Sequence, residues 1–261
     1  LNADNWLEQA KSSLKTASLK GDPDAARILC YTNRSLEKLV PHARRAIHGE
    51  MADQLPVLPG EVLISRSAVM APASSSGVEI GEEPDMVLGS NRELVVLDVK
   101  PESCNLSDFG LSSFWNKDVP VIDTLMANVR AGELELSLRL LPPAGSSSRK
   151  LLDSTLKYLR LKAKEASKLE GKLLWRNFFL IRDAFASLGP ASVSTVHRSQ
   201  GSTFGEVFIT SDVFWPKDPV LRNQLVYVAV SRAKNGVILL AGNEKLTGHS
   251  KWHKCLNGSR N

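Results

Sequence analysis

The chain has 261 residues, of which 43% are hydrophobic and 23% are charged, as in ordinary soluble globular proteins. It has no apolar run of about 18 residues, which argues against a membrane span. The net charge of +5 is compatible with a polyanionic partner but does not require one. Cys30, Cys104 and Cys255 lack C-x-x-C spacing, which argues against a disulfide framework and favours a reducing, cytoplasmic compartment. The first residue is Leu1 rather than methionine, so we expect a fragment.

The first part of the chain has the pattern of an α/β unit. Apolar spacing predicts a helix over residues 3–19, and the apolar residues 26–31 predict a buried parallel strand. A polar turn then leads into a second helix, for which Asn33 or Ser35 is the expected N-cap.

The middle of the chain has a β pattern. Short strands are predicted at 60–65, 86–88, 93–99, 119–125 and 134–141, with a hairpin turn at residues 89–91 and a mobile loop at 72–84. Strands at this spacing without intervening helices predict a small barrel.

Residues 149–188 have helical spacing, and the α/β pattern returns from Ala191 onward. We predict a strand to Thr195, a polar turn, a strand at 207–210, a helix at 219–233 and a strand at 237–241. The chain therefore predicts one discontinuous α/β domain, residues 1–56 and 150–261, interrupted by a β module at 57–149.

The polar turn after Thr195 is a candidate binding site. A parallel strand would deliver Thr195 and His197 to the carboxyl edge of its sheet, where α/β folds bind ligands. Gly201 would let the backbone approach a phosphate group. The alternative is a polar turn whose groups are satisfied within the protein.

Arg232 lies toward the end of the predicted helix 219–233, where a solvated charge is the ordinary interpretation. However, the order T-V-H-R-S-Q-G at 195–201 and Y-V-A-V-S-R-A at 227–233 resembles the fifth and sixth motifs of superfamily 1 DNA helicases. Within that superfamily the sequence is most similar to the RecD/Dda-like branch, whose members move 5′ to 3′ on single-stranded DNA. Residues 29–39 resemble the fourth motif of the same family.

The resemblance implies the C-terminal half of a motor. Its fold would be a second RecA-like domain, of the P-loop NTPase type, interrupted by an SH3-like β barrel on a helical stalk. No G-x-x-x-x-G-K-[ST] phosphate loop occurs in the sequence, nor does an Asp-Glu magnesium motif. ATP and Mg²⁺ would therefore be held mainly by an N-terminal RecA-like domain of the same protein, and the fragment alone would not hydrolyse ATP.

The resemblance also implies roles for individual residues. Arg232 would be an arginine finger on the ATP γ-phosphate. Gln200, Gly201 and Arg34 would contact the nucleotide. Single-stranded DNA would be gripped by Thr32, Asn33, Thr195 and His197. No metal ligand is implied in this chain, and DNA repair or recombination would be the setting.

Some positions depart from the family pattern. Ser231 and Lys234 stand where Thr and Arg are frequent, and Val40 replaces a frequent asparagine. Thr203 occupies a position that is Glu in the UvrD branch, which favours the RecD/Dda side and leaves a ribose contact there without support.

Other interpretations stay open from the sequence. The chain could be a stand-alone nucleic-acid-binding or protein-interaction module without ATPase activity, or a nuclease-associated subunit. The aromatic residues Phe114-Trp115 and the cluster Trp175, Phe178 and Phe179 could stack on bases, although helical spacing favours core for the cluster. The basic residues Arg44-Arg45 and 157–172 are expected to be solvated helix faces or phosphate contacts. His249, His253 and Cys255 have spacing that could hold a metal, but Ser250 replaces the Glu of a zinc hydrolase.

Overall fold

The computed structural model describes residues 2–70, 85–111 and 118–240. It divides into two compact units. Residues up to 55 and those from 190 onward form the first unit, and residues 56–189 form the second.

The helices and strands of the described residues alternate in the first unit and are segregated in the second. In chain order they are α1 (Ala3–Leu19), β1 (Ala26–Cys30), α2 (Asn33–His48), α3 (Met51–Gln54), β2 (Val62–Ser65), β3 (Val69–Met70), β4 (Met86–Leu88), β5 (Glu93–Asn105), β6 (Val121–Ala131), β7 (Leu134–Arg139), α4 (Ser147–Glu165), α5 (Lys168–Asp183), β8 (Leu188–Pro190), β9 (Val193–Thr195), β10 (Phe204–Ile209), α6 (Pro219–Val230) and β11 (Ala233–Leu239).

The first unit is built on a parallel sheet with the strand order β11-β10-β1-β9. All five residues of β1 are buried, as is typical of a central parallel strand covered on both faces. The register pairs Cys30 with Thr195 and Ala26 with Glu206. Because the strands are parallel, the chain segments that follow β1, β9 and β10 meet at one edge of the sheet.

Apolar side chains cover both faces of this sheet. Trp6 and Leu14 of α1 and Leu36 of α2 form one core with Phe208 of the sheet. A second core contains buried residues of α6, among them Val226. The mixed α/β architecture predicted from the sequence is confirmed for this unit.

The second unit contains a five-stranded sheet, β7-β6-β5-β2-β8, and a separate β3–β4 pair. A closed barrel is not present among the described strands. A single isolated parallel bridge joins Leu140 to Ala186 outside the named strands. The predicted hairpin at 89–91 was wrong: Asn91 has the positive φ of a turn, 59°, but β4 pairs with β3 and β5 with β2.

Helices α4 and α5 belong to the second unit, whereas the sequence-based boundary at residue 150 placed them in the α/β domain. The reason is their buried face. Leu152, Leu159 and Ile181 pack in one core with Leu106 and Ile122 of the β-rich unit. Periodicity identified the apolar face of these helices but did not identify the surface that it covers.

Several sequence-based expectations fall outside the described residues: the loop at 72–84, the pair Phe114-Trp115, and the group His249, His253 and Cys255. Among the described helices, none has both the length and the apolar character that crossing a bilayer demands.

Candidate functional site

Polar groups gather around Asp212 at the carboxyl edge of the parallel sheet. Asp212 follows β10 and is only 1% exposed. Its carboxylate accepts hydrogen bonds from the backbone N–H groups of Tyr31 and Thr32, both at 2.9 Å. The hydroxyl of Thr32 donates at 3.0 Å, and the hydroxyl of Thr210 also donates. This buried carboxylate therefore ties the end of β10 to the turn between β1 and α2.

The protonation states at this edge follow from burial and hydrogen bonding. Burial by itself would raise the pKa of Asp212, but the hydrogen bonds from Thr210, Tyr31, Ser35 and Thr32 outweigh it and lower the pKa below its ordinary value. Burial, and secondarily the charge of Asp212, raises the pKa of Cys30 to about 12. The carboxyl group is therefore charged at neutral pH, and the Cys30 thiol is neutral and unsuited to act as a nucleophile.

Thr32 is the N-cap of α2. Its backbone is extended (φ −101°, ψ 147°), and its side-chain oxygen accepts from the Ser35 N–H at 3.1 Å. The expected caps, Asn33 and Ser35, were wrong because both already lie within the helix. Asn33 and Arg34 are exposed on its first turn. The N–H groups of this helix end, together with the Asn33 amide, can bind an anion.

Thr195 and His197 lie near the same edge. Thr195 ends β9 and is buried, whereas His197 is exposed. The His197 ring lies 5.9 Å from the Tyr31 ring, tilted by 42°. The Thr195 carbonyl accepts from the backbone N–H groups of residues 198 and 199, which starts a tight turn. Of these two predicted contacts, His197 is the one that solvent reaches.

The turn continues through Gln200 and Gly201, both exposed, to Arg232. Gly201 has a φ of +87°, which side chains other than glycine rarely adopt. The guanidinium group of Arg232 donates from Nη1 to the Ser202 carbonyl at 3.1 Å and from Nε to the Val228 carbonyl at 3.2 Å. Arg232 and the Gln200–Gly201 turn are therefore adjacent.

The sequence predicted that Arg232 lies on a helix, but in the structure it lies beyond the end of that helix. Helix α6 ends at Val230, and the Arg232 carbonyl accepts from the Phe204 N–H at 2.7 Å. This hydrogen bond draws the Arg232 backbone into the space beside β10, so that β11 begins at the next residue.

The predicted site residues fall into two groups at opposite strand ends. Thr32, Asn33, Thr195 and His197 lie at or just after the carboxyl ends of β1 and β9. Arg232 immediately precedes the amino end of β11, and the Gln200–Gly201 turn contacts it through Ser202. Arg34 belongs by position to the first group, and its role at the nucleotide stays a prediction.

The basic pair Arg44-Arg45 has a structural role within α2 and α3. Arg44 is buried, and its guanidinium group donates to the carbonyl groups of Ala52 and Leu55 at 2.9 and 3.0 Å. Arg45 pairs with Asp53 at 2.5 Å. The expectation of a solvated face was wrong for Arg44, because its side chain satisfies the carbonyl groups at the end of α3.

Asp212 is the residue that the sequence reasoning missed. Its signal was an acidic residue two positions after the predicted strand 207–210, and that signal is weak because most such residues are solvated. Within the described residues, no group of three or more His, Cys, Asp or Glu side chains is arranged to hold a metal ion.

Comparison with known proteins gives a family match for part of the chain. Residues 190–240 match the model of the UvrD-like helicase C-terminal domain. No curated protein sequence matches the chain. Among solved structures, the chain is similar to a Pif1 helicase from Bacteroides in complex with ADP-AlF3 and ssDNA (12% identity, TM-score 0.37) and to a Pif1 helicase from Candida albicans (12%, 0.35).

These alignments cover 97% and 96% of this chain but only 51% and 57% of the helicases. The chain thus spans about half the length of these solved structures. The segment matched by the family model contains β9, the turn with Gly201, α6, Arg232 and β11. The predicted resemblance to a helicase C-terminal domain is confirmed for residues 190–240, which match the model of the UvrD-like helicase C-terminal domain.

Proposed function

We propose that this chain is the C-terminal motor domain of an ATP-dependent 5′-to-3′ DNA helicase. It grips single-stranded DNA and supplies Arg232 to ATP held by an N-terminal RecA-like domain of the same protein. The observation that carries the proposal is the hydrogen bond from Arg232 to the Ser202 carbonyl, within the matched segment. It holds the guanidinium group beside the exposed Gln200–Gly201 turn.

Arg232 is suited to this role because its present partners are weak competitors for a phosphate group. Its three hydrogen bonds go to two backbone carbonyls and to the Ser231 hydroxyl, all of them neutral. Charge-assisted hydrogen bonds to phosphate are roughly twice as strong as neutral ones. The side chain is only half-buried, so it can leave these partners without opening the core.

The Gln200–Gly201 turn fits a nucleotide beside Arg232. Gly201 has a positive φ, a backbone conformation that residues with a β-carbon rarely adopt. No atom lies within 4 Å of the position that a β-carbon would take there. A phosphate group can therefore approach the backbone. When ATP and Mg²⁺ are bound, they supply the γ-phosphoryl group and its charge neutralisation. The residues of this chain position and stabilise that charge.

The grip on DNA is assigned to the carboxyl-edge group. Asn33 at the N-terminus of α2 and the imidazole of His197 are exposed and can donate to backbone phosphates. Thr32 and Thr195 hold these two side chains in place: Thr32 caps the helix, and the Thr195 carbonyl anchors the turn that carries His197. The helices on both faces of the parallel sheet support a RecA-like assignment for the first unit. In this proposal the second unit takes the place of the inserted module, without a closed barrel.

The proposal is tested in the full-length protein by the ATPase activity that single-stranded DNA stimulates. Arg232→Ala is expected to lower turnover by about 10³- to 10⁵-fold, the contribution of arginine fingers in other nucleotide hydrolases. Binding of fluorescein-labelled oligo(dT) should be retained. Lys234→Ala is the matched control, because it removes an exposed positive charge two residues away and should leave turnover unchanged.

Normal turnover of the Arg232→Ala variant would rule out the finger. The 261-residue chain alone should bind oligo(dT) and not hydrolyse ATP. Hydrolysis by that chain would instead require a nucleotide site outside the groups described above. Oligo(dT) binding by a full-length protein that lacks ATPase activity altogether would favour the stand-alone binding module.

A further inference from the structure

The α4–α5 helical pair of the second unit carries a concentrated positive charge. Residues 147–183 contain ten Lys and Arg side chains and four Asp and Glu side chains, a net charge of +6. The whole chain has a net charge of +5, so the remainder is slightly negative. A basic pair of helices on an otherwise nearly neutral chain is the electrostatic feature expected of a polyanion-binding surface.

On α5, the outward residues form a stripe of cations and aromatic rings. Its buried face is defined by Gly171, Leu174, Asn177 and Ile181. A second stripe follows the i, i+4, i+7 spacing of a helix and consists of Lys168, Lys172, Trp175, Phe179 and Arg182. Lys168, Lys172, Phe179 and Arg182 are exposed, whereas Trp175 is half-buried.

The aromatic part of this stripe is a stacked column. Phe179 is 44% exposed and stacks on Trp175, with ring centroids 5.8 Å apart and planes 26° from parallel. The guanidinium carbon of Arg182 lies 4.7 Å from the Phe179 ring centroid. Asp183 holds that guanidinium group by two hydrogen bonds, of 2.6 and 2.8 Å. The pair Arg182–Phe179 is thus an ordered flat surface that solvent reaches.

Of the six lysines in this helical pair, Lys162 pairs with Glu165, and the other five have no carboxylate partner among the described residues. Lys150, Lys157 and Lys164 recur every seven residues along the outer side of α4, and Lys168 and Lys172 continue on α5. Within the described residues, none of these five lysines forms an ion pair with a carboxylate. Their charge is therefore available to a partner.

We propose that the outward face of α5 binds single-stranded nucleic acid, with a base stacked on the Arg182–Phe179 pair and phosphates contacted by Lys168 and Lys172. Stacking on an aromatic ring or on an arginine plane is sequence-tolerant, because every base has a π-face. A duplex buries its base faces and would use only the charge. An acidic protein would likewise use the lysines and leave the stacking surface unused. The exposed column therefore favours a single strand over either.

This inference does not rest on the proposed function, since its residues lie in the second unit. The experiment uses the full 261-residue chain and measures fluorescence anisotropy across a salt series with two probes. One probe is fluorescein-labelled oligo(dT), and the other is an abasic strand of the same length and charge. Phe179→Leu keeps an apolar side chain at the position and removes the π-face.

Phe179→Leu should weaken oligo(dT) binding by roughly 5- to 150-fold, because base–aromatic stacking contributes about 1–3 kcal/mol. Binding of the abasic strand should not change. Phe179→Tyr keeps the ring and should bind both probes as the unsubstituted chain does. Equal weakening of both probes by Phe179→Leu, or no weakening of either, overturns the stacking site.

The lysine contacts have their own matched pair of variants. Lys168→Gln with Lys172→Gln should reduce the slope of log affinity against log salt by about 0.7 for each lysine. Lys15→Gln with Lys20→Gln removes two exposed lysines of the first unit and should leave the slope unchanged. Equal effects of the two double variants would show that binding reports only net charge, and the site would be wrong. Failure here leaves the ATPase test of Arg232 unaffected, so the two proposals fail separately.

Discussion

Replacing Asp212 by alanine tests whether one buried carboxylate holds the carboxyl edge of the sheet together. The substitution leaves the backbone N–H groups of Tyr31 and Thr32 without the acceptor that each now has at 2.9 Å. A buried donor without its partner costs about 1–3 kcal/mol, so the two together predict a loss of about 2–6 kcal/mol in the free energy of unfolding. Typical domains have only about 5–15 kcal/mol in total.

The same carboxylate predicts a pH dependence with a definite sign. The native pKa of Asp212 is lowered relative to its ordinary value, so the unfolded state binds the proton more tightly. The stabilisation is therefore fully present above the unfolded pKa, near pH 4, and is lost as the pH falls through the native pKa. Asp212→Asn cannot titrate, so its stability should depend less on pH in that acidic range.

Urea denaturation followed by circular dichroism gives the total loss of stability. Peptide-level hydrogen exchange over residues 26–48 assigns the loss to the first unit, which is necessary because a chain of two units need not unfold in one step. Glu37→Gln, which removes an exposed carboxylate from α2, should stay within about 0.5 kcal/mol. A loss below about 1 kcal/mol for Asp212→Ala, or unchanged exchange of that peptide, would refute the assigned role.

Two further predictions concern packing and thiol reactivity. Gly205→Ala would place a β-carbon 2.5 Å from the Ala25 carbonyl oxygen and should destabilise the chain by about 1–3 kcal/mol. Gly236→Ala is the control, because no atom lies within 4 Å of the position that its β-carbon would take. Equal melting temperatures of the two variants would contradict this prediction. Cys30 is buried and its pKa is raised to about 12, so it should resist iodoacetamide at pH 8 in the native chain and react in urea. Mass spectrometry of the peptide that contains Cys30 measures the labelling. Equal labelling in both states would show that the thiol is accessible in the native chain.

Much of the first unit could be predicted from the sequence, because its elements have strong periodic patterns. The predicted helix at 3–19 coincides with α1, and the apolar run at 26–31 contains β1. The second unit was harder to predict from the sequence. Pairing partners of short strands depend on long-range contacts, so the turn at 89–91 was recognised while the strands on either side of it pair elsewhere. The same limit explains why the predicted boundary before α4 differs from the division into two compact units.

The candidate site shows a related division between motif and geometry. The resemblance to helicase motifs identified His197, Gly201 and Arg232 as candidates, and the structure brings Gly201 and Arg232 together. The sequence did not reveal Asp212, because the two backbone N–H groups that its carboxylate binds belong to Tyr31 and Thr32, 181 and 180 positions away in the chain. Similarly, the aromatic residues of α5 were expected to be core, and only the fold distinguishes exposed Phe179 from half-buried Trp175.

The connection from β9 to β10 links the two groups of site residues in the first unit. It begins at the carboxyl end of β9 with His197 and reaches the amino end of β10 after Gly201. Backbone hydrogen bonds at 3.1 Å from residue 199 to Thr195 and from residue 202 to residue 199 keep it in successive tight turns. Under the proposed function, a nucleotide that draws Arg232 away from the Ser202 carbonyl removes a restraint at one end of this segment. The segment is short and held by its own hydrogen bonds, so a movement at one end should be transmitted to the other. His197 at that other end is therefore the DNA contact whose position we expect to change first.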